Sequence, residues 1–159
     1  MVDVGDTAPD FTAPMATGEI ESFTLSEHLD EAPIVLAFFP AAFTGTCTTE
    51  MSTFQDRLAD FQATGANIYG VSIDSPFTLN EFREQNGIEF PLISDTNRKL
   101  IDLYDVSMDF ETYGVYDIAK RSVFVIDGDG TVTYTWASDD PGVEPDYEAV
   151  EEAAAAAAD

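Results

Sequence analysis

Cys47 is the only cysteine in 159 residues, and it follows an apolar run within Phe38-Phe39-Pro40-Ala41-Ala42-Phe43-Thr44-Gly45-Thr46-Cys47-Thr48-Thr49-Glu50. There the apolar pattern of a buried strand gives way to helical spacing, a position suited to nucleophilic and redox chemistry. A helix N-terminus offers unpaired backbone N–H groups and the positive end of the macrodipole, and both favour a thiolate over a thiol. Thr44, three residues earlier, supplies a hydroxyl able to fold back on the sulfur. Pro40 stiffens the turn out of the strand and shields the sulfur from water. A lone cysteine is ordinarily an inert small hydrophobe, but the strand-to-helix position and the company of Pro40 and Thr44 shift this one toward reactivity. One cysteine also excludes an intrachain disulfide, a Cys-x-x-Cys dithiol oxidoreductase and a Cys-rich zinc site. The single His28 closes most remaining transition-metal options. It lies in a polar turn far in sequence from Cys47 and reads as structural.

The elements that must position Cys47 follow from periodicity. Asp10 to Leu25 alternates apolar and polar residues around Thr17-Gly18, predicting a β-hairpin, and Ser26 to Leu29 predicts one helical turn. Ile34 to Phe39 is apolar throughout, as a central strand buried on both faces requires. Met51, Phe54, Leu58 and Phe61 recur at helical spacing, predicting one helix from about Cys47 to Ala63. Ile68 to Ile73 reads as a second buried strand, and Ser75-Pro76 opens a helix that Asn86-Gly87 closes. Phe90 to Ile93 predicts a strand and Arg98 to Tyr104 a short helix. Val123 to Ile126 and Val132 to Trp136 flank Asp127-Gly128-Asp129-Gly130, which reads as a type I′ hairpin turn. As a calcium loop this stretch fails, because Ser138 stands where the twelfth-position glutamate belongs. Asp146 to Ala158 predicts a terminal helix. Strands alternating with helices and then a closing hairpin indicate an α/β thioredoxin-like fold: a central mixed β-sheet flanked by helices, with an N-terminal β-hairpin. The length suits one domain, 1–159.

The motif Pro-x-x-x-Thr-x-x-Cys after an apolar strand, here Pro40, Thr44 and Cys47, resembles the active-site motif of peroxiredoxins. Gly5-Asp6-Thr7-Ala8-Pro9-Asp10-Phe11 is similar to that family's opening, and Phe90-Pro91-Leu92-Ile93-Ser94-Asp95 to its later strand. Arg121-Ser122-Val123-Phe124-Val125-Ile126-Asp127 resembles the strand that brings its active-site arginine to the cysteine. The phrase Phe39 to Cys47 resembles the alkyl hydroperoxide reductase E type, with affinity to the bacterioferritin-comigratory type. The resemblance implies a thiol-dependent peroxidase acting on hydrogen peroxide or organic hydroperoxides without metal, haem, flavin or other cofactor. Cys47 would attack the peroxide, Thr44 would hold it, Arg121 would stabilise the thiolate and the leaving oxygen, and Glu50 would position Arg121. With no second cysteine, the resemblance implies a 1-Cys mechanism in which an external thiol or redoxin resolves the sulfenic acid. It also implies a homodimer or higher homo-oligomer. Phe39 and Phe43 bracket the motif as core side chains, or as the peroxide entrance or a dimer contact. The same sulfenic acid would serve a peroxide-sensing relay to a partner protein. A non-catalytic thioredoxin-fold interaction module would leave Thr44, Glu50 and Arg121 without a reason to accompany Cys47. The segment Tyr104 to Arg121 is longer than the family pattern, and Met108 to Tyr116 maps least well.

The charge is lopsided: 31 Asp and Glu against 6 Lys and Arg, a formal net charge of -25. Six cations cannot build a basic face, so nucleic acid and an anionic membrane surface are excluded as partners. The longest apolar stretch, Ala32 to Phe43, is twelve residues broken by Pro33 and Pro40, and a spanning helix needs about 20. Met1 to Asp10 has three aspartates and no basic region, so a secretory leader is not expected and a cytoplasmic location is. The cations run only from Arg57 to Arg121, and two are lysines. So anionic a surface suits a high-salt cytoplasm, where the Debye length falls from about 30 Å at 0.01 M to about 3 Å at 1 M. The melting temperature is therefore expected to rise steeply with potassium chloride from millimolar to molar. A curve flat across that range would leave the acidity as a solubility device.

Overall fold

The computed structural model describes residues 1–158; Asp159, at the end of the expected domain and acidic tail, lies outside them. Two short strands, β1 (Thr12–Ala16) and β2 (Ile20–Thr24), form the expected N-terminal hairpin, turning at Gly18 with φ 98°. Two 3-10 turns, Leu25–Glu27 and Leu29–Glu31, lead to β3 (Ile34–Phe38). Next come helices α1 (Gly45–Asp56) and α2 (Leu58–Ala63), then β4 (Asn67–Ser72), α3 (Pro76–Asn86) and β5 (Leu92–Ser94). The chain continues through α4 (Lys99–Leu103), β6 (Ser107–Phe110), β7 (Val115–Ala119), β8 (Arg121–Ile126), β9 (Val132–Ser138) and α5 (Tyr147–Ala157).

Seven strands make one mixed sheet in the order β2-β1-β5-β4-β3-β8-β9, with β3, β4 and β5 parallel and the remaining pairs antiparallel. The all-apolar composition of β3 is explained by its two covered faces. Ile34, Leu36 and Phe38 enter one core with Tyr104 and Phe124, while Val35 and Ala37 enter the other with Met51, Phe54 and Phe82. Helices α1, α2, α3 and α5 pack on that second face; α4 and the N-terminal segment cover the first. The period of two carries straight through β8, whose Phe124 and Ile126 face one core and Val123 and Val125 the other. Among the described residues no helix is long and apolar enough to cross a membrane.

Two expectations are corrected. The single helix expected over 47–63 begins two residues earlier, at Gly45, and breaks at Arg57. Thr48, Thr49 and Thr53 all turn their hydroxyls onto carbonyls four residues back, which bends helices, and Arg57 is drawn to Glu151 and the face of Tyr147 on α5. The turn at 127–130 is not type I′, since only Gly130 has positive φ, at 79°. Asp127 instead accepts the amides of Asp129 and Thr131 with its side chain, and the β8–β9 register shifts at Ile126. Residues 107–119, in the stretch that maps least well onto the family pattern, form a separate antiparallel ribbon of β6 and β7 joined by the 3-10 turn Glu111–Tyr113. Its mixed, largely exposed residues carry no periodicity that marks a core-facing strand.

Gly70 in β4 lies beneath α1. A Cβ there would come within 2.5 Å of Leu92 Cδ2 and 3.1 Å of Met51 Sδ, both fully buried side chains of one core. Gly70→Ala is expected to cost about 1–3 kcal/mol of stability by overpacking, measured by urea denaturation. A midpoint unchanged from the parent would contradict the tight seating of α1 on the sheet.

Candidate active site

The chain leaves β3 at Phe38 and runs through Pro40 to Thr44 before α1 begins. Thr44 is the N-cap in extended conformation, so the amides of Gly45, Thr46 and Cys47 precede the first helical hydrogen bond, Thr48 N–H to the Thr44 carbonyl at 2.9 Å. Cys47 is thus the third helical residue rather than the first, still within the first turn where the helix dipole acts. It is 1% exposed. Phe43, the residue before the cap, has φ 67°, costly for a side chain with a Cβ. Its ring sits edge-on to Phe82 at 5.3 Å, one contact that holds it there.

The loop is tied down from the other side by Asp74, which sequence reading did not single out. Its Oδ2 accepts the amide of Ala42 at 2.8 Å and the hydroxyl of Ser72 at 2.6 Å, while the Ser94 hydroxyl donates to its carbonyl. The anchor spans the ends of the adjacent parallel strands β4 and β5. Its only sequence signal is a polar cluster, Ser72 to Ser75, immediately after an apolar strand.

Antiparallel pairing of β3 with β8 places Phe38 opposite Ser122, so Arg121 emerges where the chain turns toward Cys47. Its Nη2 lies 3.2 Å from Cys47 Sγ and donates to the Pro141 carbonyl at 2.7 Å; its Nη1 donates to Glu50 Oε1 at 2.6 Å. Glu50, one helical turn after Cys47, shares its face of α1. Both members of the ion pair are buried, at 1% and 0% side-chain exposure. Glu50 Oε2 and Arg121 Nε have no hydrogen-bond partner among the described residues. Burial pulls Arg121 down, but the Glu50 carboxylate and the sulfur more than offset it, leaving the guanidinium above its ordinary value. Burial pushes the Glu50 carboxyl up to about 7 against the pull of Arg121, with Glu144 adding to the rise. One cation here serves two acids.

A cavity of about 480 Å3 lies over the sulfur, and Cys47, Thr44, Pro40 and Arg121 all line it. The Thr44 hydroxyl does not fold back on the sulfur; it donates to the Ala41 carbonyl at 2.7 Å. That leaves its lone pairs to accept a hydrogen bond from a molecule in the cavity. The five residues singled out from sequence (Pro40, Thr44, Cys47, Glu50 and Arg121) therefore converge on one place. Pro141, which supplies a carbonyl to Arg121, and the ribbon residues Phe110, Tyr113, Val115 and Ile118, which form the opposite wall, carried no sequence signal. His28 stands apart, with Nδ1 at 2.8 Å from the Thr24 carbonyl and its ring stacked on Phe23. Chemically, the arrangement can hold a sulfur anion beside a fixed cation, in a cavity lined by the hydroxyl-bearing Thr44, Thr46 and Tyr113.

Comparison with known proteins points the same way. Residues 4–135 match the AhpC/TSA family. A Mycobacterium tuberculosis protein named as a peroxiredoxin is 38% identical over 129 residues, covering 80% of each chain. Bovine Peroxiredoxin-2 is 36% identical over 146 residues, covering 87% of this chain and 70% of its own length. The crystal structure of peroxidoxin BcpB from Mycobacterium tuberculosis superposes with a TM-score of 0.81 at 32% identity, covering 98% of this chain and 96% of that one. Enterococcus faecalis AhpC shares the fold, with a TM-score of 0.84 at 23% identity, covering 96% of this chain and 90% of that one.

The raised Glu50 carboxyl has a pH consequence. The folded state holds a proton that the unfolded state has released between about pH 4.5 and 7, so this group makes stability fall as pH rises through that window. Glu50→Gln keeps an acceptor for Arg121 and cannot titrate. Relative to the parent it is expected to gain stability from about pH 4.5 to 7, read by urea denaturation at a series of pH values. A stability difference constant across the window would show that Glu50 is ionised throughout.

Proposed function

The chain belongs to the AhpC/TSA family and is a thiol-dependent peroxidase, and from that premise we propose that Cys47 is its peroxidatic residue, acting by a 1-Cys mechanism. The observation that carries the assignment is the 3.2 Å approach of the Arg121 guanidinium to the Cys47 sulfur at the floor of the cavity. The thiolate attacks the terminal oxygen of the hydroperoxide. A sulfur–oxygen bond forms, the O–O bond breaks, and its electron pair leaves on the other oxygen, which takes a proton to become water or an alcohol. Cys47 is oxidised to a sulfenic acid. Thr44 accepts a hydrogen bond from the hydroperoxide O–H and orients the O–O bond. Arg121 holds the thiolate and the charge growing on the leaving oxygen, a task its fixed planar donors suit better than a lysine. Glu50 holds Arg121 in place, and Pro40 keeps bulk water from the sulfur.

An external thiol then attacks the sulfenic sulfur, releasing water and leaving a mixed disulfide. A second thiol breaks that disulfide and regenerates Cys47. No second cysteine exists to do this within the chain. We place the enzyme in the cytoplasm of a high-salt cell, as a homodimer or higher homo-oligomer; the exposed side chains of Phe43 and Phe77 support the assembly.

Cys47→Ser is expected to retain the fold and lose hydroperoxide consumption altogether. In the parent, one equivalent of hydrogen peroxide should leave a sulfenic acid on Cys47 that dimedone traps, seen by mass spectrometry. Turnover persisting in the serine variant, or a Cys47–Cys47 disulfide between chains as the main product with no adduct, would overturn the assignment.

A further inference from the structure

Resting on the peroxidase reading, we propose that Asp140 is a positioning residue for the reaction. Its side chain fixes the Pro141–Gly142 peptide in the orientation that turns the Pro141 carbonyl onto Arg121, and so keeps the guanidinium aimed at Cys47.

Strand pairing brings the segment after β9 to the site. Arg121 opens β8, Ser138 closes β9, and the two are cross-strand partners. The chain leaving β9 therefore starts beside Arg121, and Pro141 and Gly142 come to line the cavity over Cys47. Arg121 Nη2, which faces the sulfur at 3.2 Å, is the same nitrogen that donates to the Pro141 carbonyl at 2.7 Å. Glu50 holds only Nη1, and Nε has no partner among the described residues. Held by Glu50 alone, the guanidinium would be free to pivot about one bond. The Pro141 carbonyl is the second fixed point.

The turn that carries this carbonyl is held against its own preference. Residues 140–143 form a β-turn closed by the Val143 amide on the Asp140 carbonyl at 3.1 Å. Its central pair, Pro141-Gly142, favours type II, with the glycine at positive φ, whereas an aspartate at the first position favours type I. The two types differ by a flip of the central peptide, whose carbonyl faces opposite ways in them. Gly142 lacks the positive φ of type II, so the central pair is overruled. Both ends of that one peptide show what overrules it. Its N–H donates to Asp140 Oδ1 at 2.9 Å, and its carbonyl accepts from Arg121. The Ser138 hydroxyl steadies Asp140 in turn, accepting its amide and donating to its carbonyl, each at 3.1 Å. Asp140 is exposed and makes no salt bridge among the described residues, so its acceptor atom rather than its charge is what the fold uses.

The test is stopped-flow oxidation of Cys47 by hydrogen peroxide across a range of pH, in the parent and three variants, with urea denaturation to follow the fold. Asp140→Ala removes the acceptor and releases the turn to type II. It should slow oxidation about tenfold, the scale of a lost hydrogen bond to a charged group, and move the midpoint of the pH–rate profile upward as the guanidinium loses its aim. Loss of a nearby carboxylate charge would by itself move that midpoint downward, so the sign separates positioning from electrostatics. Asp140→Asn keeps the acceptor without the charge and should restore the parental rate. Asp140→Ala combined with Gly142→Ala should recover most of the loss, because a Cβ at residue 142 disfavours the positive φ of the flipped turn. In the parent that Cβ would lie 3.3 Å from Asp140 Oδ1, an atom the double variant lacks. A rate unchanged or a midpoint lowered in Asp140→Ala, an Asp140→Asn variant as slow as Asp140→Ala, or a double variant no faster than the single would each overturn the proposal. Failure of the peroxidase reading looks different: Cys47 of the parent would not be oxidised by hydrogen peroxide at all.

Discussion

The buried guanidinium of Arg121 is the constraint on which the rest of the site depends. It is almost wholly buried, so its charge must be answered largely by groups fixed in the fold. Glu50 answers part of it through one oxygen, the Pro141 carbonyl part, and the sulfur of Cys47 part. Burial pushes the Glu50 carboxyl up to about 7 against the pull of Arg121, and its second oxygen has no hydrogen-bond partner among the described residues. The buried pair is thus better understood as a device for holding a cation against sulfur than as a source of stability.

The positions of these three side chains are consequences of the sheet. Strand β8 is central and buried along its whole length, so its first residue is carried to a fixed point beside the end of β3. From that end the chain must reverse into α1 within a few residues. The reversal is held by Asp74 from the β4 side and by the left-handed backbone of Phe43. Unfavourable backbone of this kind persists where surrounding contacts over-determine it, and here it lies one residue before the helix cap that aims Cys47.

Outside the site the molecule is governed by a different balance. The carboxylates are spread over the surface, and among the described residues only four close ion pairs form, one of them the buried Arg121–Glu50 pair. The reacting sulfur is separated from that anionic exterior by an apolar cavity wall and by its own cation. Hydrogen peroxide and neutral organic hydroperoxides do not feel the exterior charge, so a strongly acidic surface and a thiolate-based reaction coexist in one small chain.

The sequence by itself determined the elements whose apolar residues recur with a period: the strands β3, β4 and β8, the helices α1 and α3, and the N-terminal hairpin. It also offered a single thiol as the candidate for the reacting atom, with no second cysteine in the chain to pair with it. Through the motif around Pro40, Thr44 and Cys47 it pointed to Glu50 and Arg121 as well. Only the tertiary structure decided that the guanidinium of Arg121 touches both the sulfur and Glu50. Seventy-four residues separate Arg121 from Cys47, and local pattern does not specify the distance between residues joined only by strand pairing. The break at Arg57 depended on a partner in α5, and the 127–130 turn on side-chain hydrogen bonds that outweigh the dipeptide preference. Asp74 and Pro141 were invisible because their roles rest on an acceptor position, which any polar or backbone group can supply. The β6–β7 ribbon was invisible for another reason. Phe110, Tyr113, Val115 and Ile118 line a cavity while Ala119 enters a core, and periodicity registers only side chains sorted between core and solvent.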